Sequence, residues 1–443
     1  MAKWSRGYEN LRCYVRFAFW LTHKRIIVSG LKNIPKDKPI IFAANHQNAL
    51  MDPLALVCTN PLQTVWLTRA DIFKIKAVKS FLKFMKMIPI YRIRDGKENL
   101  SNNEEIFNYV TQTLENKESV ALFPEAAHSG KRQMLSHKKA IPRIAFETEE
   151  KNNFELDLKL VPVGIFYDHY WKFNRTLIVQ YGEPLNIDAY KERYAENQQN
   201  AMLTLRDEIH GQLTPLLMQI NSTAHYSDYE DIRMIAGKEY AKKTNFNLDP
   251  DLQIFQAEQD LVSRIEQVEA NHPEVFEHIK KKLDSYVRET GKVGVSDDQV
   301  VKASSTHFLN LIFRLVGALV SIPIFLFGFL FNALPYFIPR ILFTRKLKDK
   351  AFVSSFNFAL GLVLFPLFYL IEFGLIWFFS GYLIYSALSL ILMPFAGKIA
   401  YNLLLFYQDL MQVFKLRIFN QKSFKRLKIL RSDFIYAIEF SIS

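Results

Sequence analysis

The stretch KPIIFAANHQNALMDPLAL, residues 38–56, decides the class of fold. An apolar run ends in the polar cluster Asn-His-Gln-Asn, and a segment of helical composition follows it. Polar side chains placed after a buried strand and ahead of a helix are typical of the edge where α/β folds carry active sites. The stretch therefore predicts a strand, a functional loop and a helix, in that order.

The same alternation continues on both sides of this stretch, over about residues 25–185. Short apolar runs predict strands at 25–29, 38–44, 64–67, 87–91, 118–123, 158–166 and 176–181. Helical stretches lie between several of them, such as 71–85 and 101–116. Alternating strands and helices predict an α/β domain with a largely parallel sheet flanked by helices.

The composition of the chain excludes several classes of protein. Its 443 residues allow two or three domains, and 49% of them are apolar, which excludes intrinsic disorder. The two cysteines, Cys13 and Cys58, exclude a disulfide scaffold and indicate reduced thiols in a cytosolic setting. The net charge is +12, and much of the basic excess flanks long apolar runs, where it fits anionic lipid better than nucleic acid.

Two apolar runs predict a membrane region near the end of the chain. Residues 308–338 contain one charge, Arg314, and residues 352–397 contain one charge, Glu372. A bilayer core of ~30 Å needs about 20 helical residues to cross it. We therefore expect the second run to form a two-pass hairpin that turns near Ser380, and the first to form a kinked re-entrant or shallow hairpin.

The basic segments beside these runs predict their orientation. The linker 339–351 holds five basic residues against one acid, and the segment 398–431 holds eight against one. Short positive loops stay on the cytoplasmic side of a membrane. We expect both segments and the N-terminal domain to be cytoplasmic, with a multi-pass or hairpin anchor.

The N-terminal segment 1–24 has helical periodicity, with Leu11, Tyr14, Val15, Ala18 and Leu21 near one face. It could pack on the domain as a surface helix. It could also lie in the lipid interface, with Trp4, Tyr8 and Trp20 as anchors and arginines facing anionic headgroups. We assign 1–24 as an amphipathic membrane-interface helix, followed by a domain at 25–235, a helical connector at 236–305, membrane hairpins at 306–400 and a basic tail at 401–443. Amphipathic helices are expected at 198–222 and 252–290.

His46 and Asp52 are the first candidate pair for chemistry. Five residues separate them, so they share no helical face and can meet only across a turn. A histidine with a carboxylate behind it is a suitable general base near neutral pH. The alternatives are that Asp52 only caps a helix beginning at Pro53, and that His46 is a structural histidine.

Three further clusters follow along the chain. Arg92 and Arg94 could project from a strand end toward an anionic group, or form a solvated basic edge. Glu125 stands at the tip of another predicted strand, ahead of His128 and Lys131. A metal site is not indicated here, because no third ligand lies at a suitable spacing. Pro162 interrupts a predicted strand. The sequence contains no Walker A, GxGxxG, HExxH or GxSxG pattern.

Five blocks in order resemble the PlsC-type glycerolipid (phosphate) acyltransferase family, and look most like its glycerol-3-phosphate/dihydroxyacetone-phosphate branch. They are NHQNALMD, YRIR, FPEAAHS, LVPVG and YGEPL, within about residues 20–225. Two features differ from the family. Its histidine and aspartate are usually separated by four residues, and Ala126, Ala127 and His128 replace the usual Gly-Thr-Arg.

The resemblance implies a membrane-bound acyltransferase of phospholipid synthesis with that family's sheet flanked by helices. His46, held by Asp52, would deprotonate a hydroxyl of glycerol 3-phosphate or 1-acylglycerol 3-phosphate, which attacks the thioester of acyl-CoA or acyl-ACP. Binding of the phosphorylated acceptor is expected from Arg92 and Arg94, with Glu125, His128 and Lys131 nearby, and Pro162 on the donor side. No cofactor or metal is implied. The alternatives are acylation of a non-phosphate, amino-acid lipid and a non-catalytic lipid-binding protein of the same fold.

Overall fold

The computed structural model describes residues 4–74, 76–91, 102–244, 249–342, 346–347 and 350–442. The chain forms two compact units. The first comprises residues 1–218 with 343–362, and the second comprises 219–342 with 363–443. This division differs from the one predicted along the sequence, because the end of the linker and the start of the second apolar run belong to the first unit.

Within the described residues, one mixed sheet of eight strands organises the first unit. The strands are β1 (His23–Ser29), β2 (Ile40–Ala44), β3 (Val65–Arg69), β4 (Met87–Ile90), β5 (Ser119–Leu122), β6 (Lys159–Tyr167), β7 (Arg175–Tyr181) and β8 (Leu185–Asn186). Their order is β1-β7-β6-β2-β5-β3-β4, with β8 paired to β6. The strands β6, β2, β5, β3 and β4 are parallel, whereas β7 and β8 run antiparallel to β6. The seven predicted strands and the largely parallel sheet are confirmed.

Helices cover both faces of this sheet. They are α1 (Arg6–Thr22), α2 (Met51–Thr59), α3 (Lys76–Phe84), α4 (Asn102–Glu115), α5 (Ala140–Lys151), α6 (Lys191–Glu196) and α7 (Gln198–Leu213). Alternate residues of β2 enter opposite cores: Phe42 packs with α1 and α2, and Ile41 packs with α4, α5 and α7. A parallel strand buried on both faces explains why the β2 sequence is continuously apolar.

The helix α1 packs on the domain rather than standing free of it. Tyr8 and Arg12 are buried, and the Arg12 guanidinium donates to the carbonyls of Asn60 and Leu62, just beyond the end of α2. The predicted role of Tyr8 as an interfacial anchor is therefore wrong, because its side chain is buried in the domain. The Arg12 side chain satisfies the end of a neighbouring helix. Trp4 and Trp20 are exposed, so an interfacial role for them stays a prediction.

The second unit is helical. Its helices are α8 (Tyr226–Lys243), α9 (Pro250–Asn271), α10 (Pro273–Val293), α11 (Asp297–Ser305), α12 (Phe308–Leu342), α13 (Val353–Ser380), α14 (Leu383–Phe414) and α15 (Gln421–Ile442), with α13 beginning in the first unit. The predicted helix over 252–290 is two helices, since Pro273 begins a new one. The expected basic tail is also largely helical: Arg431 of α15 pairs with Asp297 of α11.

Three helices, α12, α13 and the α14 region, are long and apolar enough to cross a membrane by length and composition. The predicted turn near Ser380 is confirmed, since α13 ends there and α14 begins at Leu383. The predicted hairpin over 308–338 is wrong, because α12 continues through Pro323 and Pro335. Proline removes one backbone hydrogen bond, which membrane helices tolerate when neighbouring groups compensate.

The helices α12 and α14 run antiparallel. Their contacts join Ser321 to Tyr407, Gly328 to Ala396 and Asn332 to Met393. The approach is close at Gly328, where a Cβ atom would lie 2.3 Å from the Ala396 carbonyl oxygen. Asn332 also accepts a hydrogen bond from Tyr369 of α13 at 2.6 Å, so one buried amide joins three apolar helices.

We predict that Gly30→Ala destabilises the first unit. Gly30 has φ of +71°, and a Cβ atom there would lie 1.9 Å from the carbonyl oxygen of Tyr181. Left-handed strain and steric overlap should together lower the free energy of unfolding by ~2 kcal/mol or more. The control Gly211→Ala, in α7 with open space around it, should raise that free energy by up to ~1 kcal/mol. Thermal unfolding in detergent measures both; equal melting temperatures would contradict the prediction.

Candidate active site

The His46 and Asp52 side chains meet at the carboxyl end of β2. His46 Nδ1 lies 2.9 Å from Asp52 Oδ2. In the intervening loop Ala49 adopts the left-handed region, at φ of +42°, before α2 begins at Met51. The structure thus brings the predicted pair together across a turn, and its catalytic role stays a prediction.

Asp52 is the centre of this loop. Its carboxylate is fully buried, and Oδ2 also accepts hydrogen bonds from the backbone N–H groups of Gln47 at 2.8 Å and Asn48 at 2.7 Å. The residue that caps α2 is Leu50, so the alternative in which Asp52 merely caps the helix is wrong. Because a carboxylate only accepts hydrogen bonds, the Nδ1–H group of His46 is the donor in its bond to Asp52. Nε2 of the same ring is then left as a proton acceptor.

The His46 ring is held by aromatic contacts. It stacks on Phe123, with centroids 4.1 Å apart, and it meets the edge of the His128 ring at 5.7 Å. Its side chain remains 17% exposed, in contrast to the buried Asp52. The imidazole is therefore fixed in orientation and still reachable from outside.

Glu125, which follows β5, binds the backbone of the loop that carries His46. Its carboxyl oxygens accept from the backbone N–H groups of His46 at 2.9 Å and Leu135 at 2.8 Å, and it is 2% exposed. Burial, with a smaller contribution from Asp52, raises the pKa of Glu125 to about 8 against the lowering effect of these two bonds. The expectation that Glu125 positions an acceptor stays a prediction, since both oxygens already bind the protein backbone.

The remaining predicted residues are placed differently. Arg92 and Arg94 lie outside the described residues. Lys131 is exposed, whereas Pro162 is buried in β6 opposite Ala43 of β2, and its carbonyl accepts from the N–H of Gly182. Their predicted substrate contacts stay predictions. Among the described residues, no group of three His, Cys, Asp or Glu side chains is placed to hold a metal ion.

One departure from the family pattern has a structural consequence. Ala126, which stands where the family usually has glycine, adopts φ of +57°. Left-handed backbone is the conformation that glycine adopts most readily. The loop after Glu125 therefore keeps a glycine-like conformation without glycine, and the Ser129 N–H of that loop donates to the His46 carbonyl at 3.3 Å.

Sequence reasoning missed several buried polar residues around the pair. Asn45 exchanges two hydrogen bonds with the backbone of Ile165, at 3.1 and 2.7 Å, and so extends the β2–β6 pairing up to His46. The Arg175 guanidinium stacks on the buried Tyr167 ring, 4.4 Å from its centroid. Burial and the Asp52 charge raise the pKa of the Tyr167 hydroxyl. An asparagine at the end of an apolar strand must find partners inside the protein, and this signal could have identified Asn45.

The chain is similar in sequence to known acyltransferases. Residues 25–166 match the family model described as Acyltransferase. The chain is 25% identical over 260 residues to glycerol-3-phosphate O-acyltransferase 2 of Saccharomyces cerevisiae, covering 56% of this chain and 33% of the yeast protein. It is 26% identical over 199 residues to 1-acyl-sn-glycerol-3-phosphate acyltransferase of Borreliella burgdorferi, covering 45% of this chain and 76% of that protein.

Among solved structures, the 1-acyl-sn-glycerophosphate acyltransferase PlsC of Thermotoga maritima matches with a TM-score of 0.34 and 20% identity, over 46% of this chain and 78% of that chain. The family model covers residues 25–166, which include most strands of the sheet. The predicted resemblance to glycerolipid acyltransferases is confirmed by the relatives from yeast and Borreliella. The matched part spans about a third of the yeast relative's length.

We predict that the ionisation of Glu125 weakens the folded state as pH rises. An ordinary glutamate loses its proton near pH 4.5, whereas folding raises the pKa of Glu125 to about 8. Between these pH values the folded protein keeps a proton that the unfolded chain has lost. Stability should therefore fall with rising pH, by at most ~1.4 kcal/mol per pH unit.

Replacing Glu125 by Gln should flatten this decline between about pH 4.5 and 8, since the amide cannot ionise. The control is Glu105→Gln, at an exposed position of α4. Melting temperatures measured across this pH range would contradict the prediction if Glu125→Gln and the wild type declined in parallel.

Proposed function

We propose that the protein transfers a fatty acyl group from an acyl thioester, acyl-CoA or acyl-ACP, to a hydroxyl of glycerol 3-phosphate or 1-acylglycerol 3-phosphate. The observation that carries the proposal is the His46–Asp52 pair, in which Nδ1 donates to a buried carboxylate and Nε2 is left to accept a proton. The names of the yeast and Borreliella relatives support a glycerol phosphate acceptor.

The reaction follows from the direction of that hydrogen bond. Nε2 removes the hydroxyl proton as the acceptor oxygen bonds to the thioester carbonyl carbon. The carbon–sulfur bond then breaks, and the imidazolium returns the proton to the departing thiolate. Asp52 keeps the ring in the required tautomer and stabilises its positive charge throughout.

We also propose that the two ends of α12 lie on the same face of the membrane. The chain from 219 to 307 contains no apolar run long enough to cross, so residue 308 enters from the face that carries residue 218. At the other end, residues 343–362 belong to the first unit, where Tyr14 of α1 donates to the Leu362 carbonyl. Both ends of α12 then lie on one face.

The packing of the apolar helices excludes three successive full crossings. Three successive full crossings would leave the first and third helices parallel, whereas α12 and α14 are antiparallel. A helix of 35 residues is ~52 Å long, which exceeds the ~30 Å of a bilayer core. The predicted location of the linker 339–351 on the side of the N-terminal domain fits this proposal.

We predict that His46→Ala and Asp52→Asn each lower the rate of acyl transfer by ~10³-fold or more, because each removes the general base or its tautomer control. The assay uses the full chain in detergent with acyl-CoA or acyl-ACP, and glycerol 3-phosphate, 1-acylglycerol 3-phosphate and an amino-acid lipid as parallel acceptors. His278→Ala, at an exposed position of α10, is the control. Wild-type turnover in both variants, or no product with any acceptor, would count against the proposal.

We predict that a cysteine replacing Lys346 is labelled from the same side of the membrane as a cysteine replacing Lys36, an exposed residue of the first unit. An impermeant maleimide on sealed vesicles makes the measurement, in a Cys13→Ser background. Cys58 is silent there, because burial raises the pKa of its thiol to about 12. Labelling of the two positions from opposite sides would show that α12 crosses the membrane.

A further inference from the structure

The loop between His46 and α2 depends on a distant part of the chain. The backbone N–H of Leu50 stands at the amino end of α2, where helical N–H groups have no partner within the helix. Its acceptor is Ser355 Oγ, 3.1 Å away and 305 residues later in the sequence. Ser355 is 4% exposed, so water does not easily take its place.

The neighbouring serine binds the same loop. Ser354 is 3% exposed, and its hydroxyl donates to the Oδ1 atom of Asn48 at 3.0 Å. Asn48 is fully buried, and its backbone N–H is one of the donors to Asp52 Oδ2. Asn48 therefore connects Ser354 to Asp52, the carboxylate that orients His46.

These serines stand in the first turn of α13, on the face that packs against the catalytic loop. Phe358, one turn further on, is 3% exposed and meets Phe19 of α1 edge to face at 5.7 Å. Just before the helix, the Phe352 ring meets the edge of the His128 ring at 4.8 Å, and His128 in turn meets His46. The opposite side of α13 is exposed, as at Phe356 and Val363.

We propose that Ser354 and Ser355 are positioning residues for the His46–Asp52 pair, so that the first turn of the apolar helix α13 forms part of the catalytic unit. The inference rests on the proposed acyl-transfer function of His46. Loss of either hydroxyl leaves a buried polar group of the loop without its partner, and the loop gains freedom to move Asp52 and His46 away from the reacting geometry. Small misplacement of a catalytic group costs rate more than it costs substrate binding.

The experiment compares Ser354→Ala, Ser355→Ala and the double variant with the wild type, all as full chains in detergent. The control is Ser389→Ala, which removes a serine hydroxyl of equal burial in α14 that bonds to its own helix at Ser386. We expect kcat to fall ~10-fold in each single variant and ~100-fold in the double variant, with KM for the acyl donor changed less than threefold. The control should retain the wild-type kcat.

Hydrogen exchange gives a readout that does not need activity. Amide exchange in a peptide covering residues 45–53 should accelerate ~10-fold or more in Ser355→Ala, while peptides from β6 and β7 keep the wild-type rate. If the wild type transferred no acyl group, the proposed function would fail and the exchange measurement would still test the contact.

Three results would overturn the inference. The first is wild-type kcat together with wild-type exchange in the double variant. The second is a change in KM alone, which would indicate a binding effect. The third is accelerated exchange throughout the first unit, which would indicate a general structural role for the two serines.

Discussion

The conformation of the loop that carries His46 depends on a single buried carboxylate oxygen. Asp52 Oδ2 accepts from the ring of His46 and from the backbone of Gln47 and Asn48. A buried acceptor must be satisfied, and leaving its donors unpaired costs ~1–3 kcal/mol each. The loop therefore curls around Asp52, and this curl is what turns the imidazole so that Nε2 faces away from the carboxylate.

The loop is stabilised from several directions at once. Glu125 binds the His46 backbone from 79 positions away, Asn45 binds Ile165 from 120, and Ser355 binds Leu50 from 305. Each contact is a hydrogen bond to a buried side chain, and each comes from a different element of the first unit. The loop between β2 and α2 therefore contacts the sheet, the loop after β5 and the start of α13.

Much of the fold could be predicted because its signals are local. The seven strand positions followed from short β-branched runs, and the turn at Ser380 followed from the length of the second apolar run. The single helix over residues 308–342 could not be predicted in this way, because the length of that run suggested a hairpin and proline suggested breaks. The partners of Arg12, the carbonyls of Asn60 and Leu62 beyond α2, also could not be predicted, because they lie about 50 positions away in the sequence.

The sequence by itself determined that an acyltransferase-like strand, loop and helix carry His46 and Asp52, and that apolar helices follow. Only the tertiary structure decided the reversed direction of β1, β7 and β8, the hydrogen bond from the His46 backbone to Glu125, and the capping of α2 by Ser355. The physical reason is that backbone preference and hydrophobic period act over a few residues. The partner of a buried hydrogen-bonding group, in contrast, is chosen by packing between elements that may lie hundreds of positions apart.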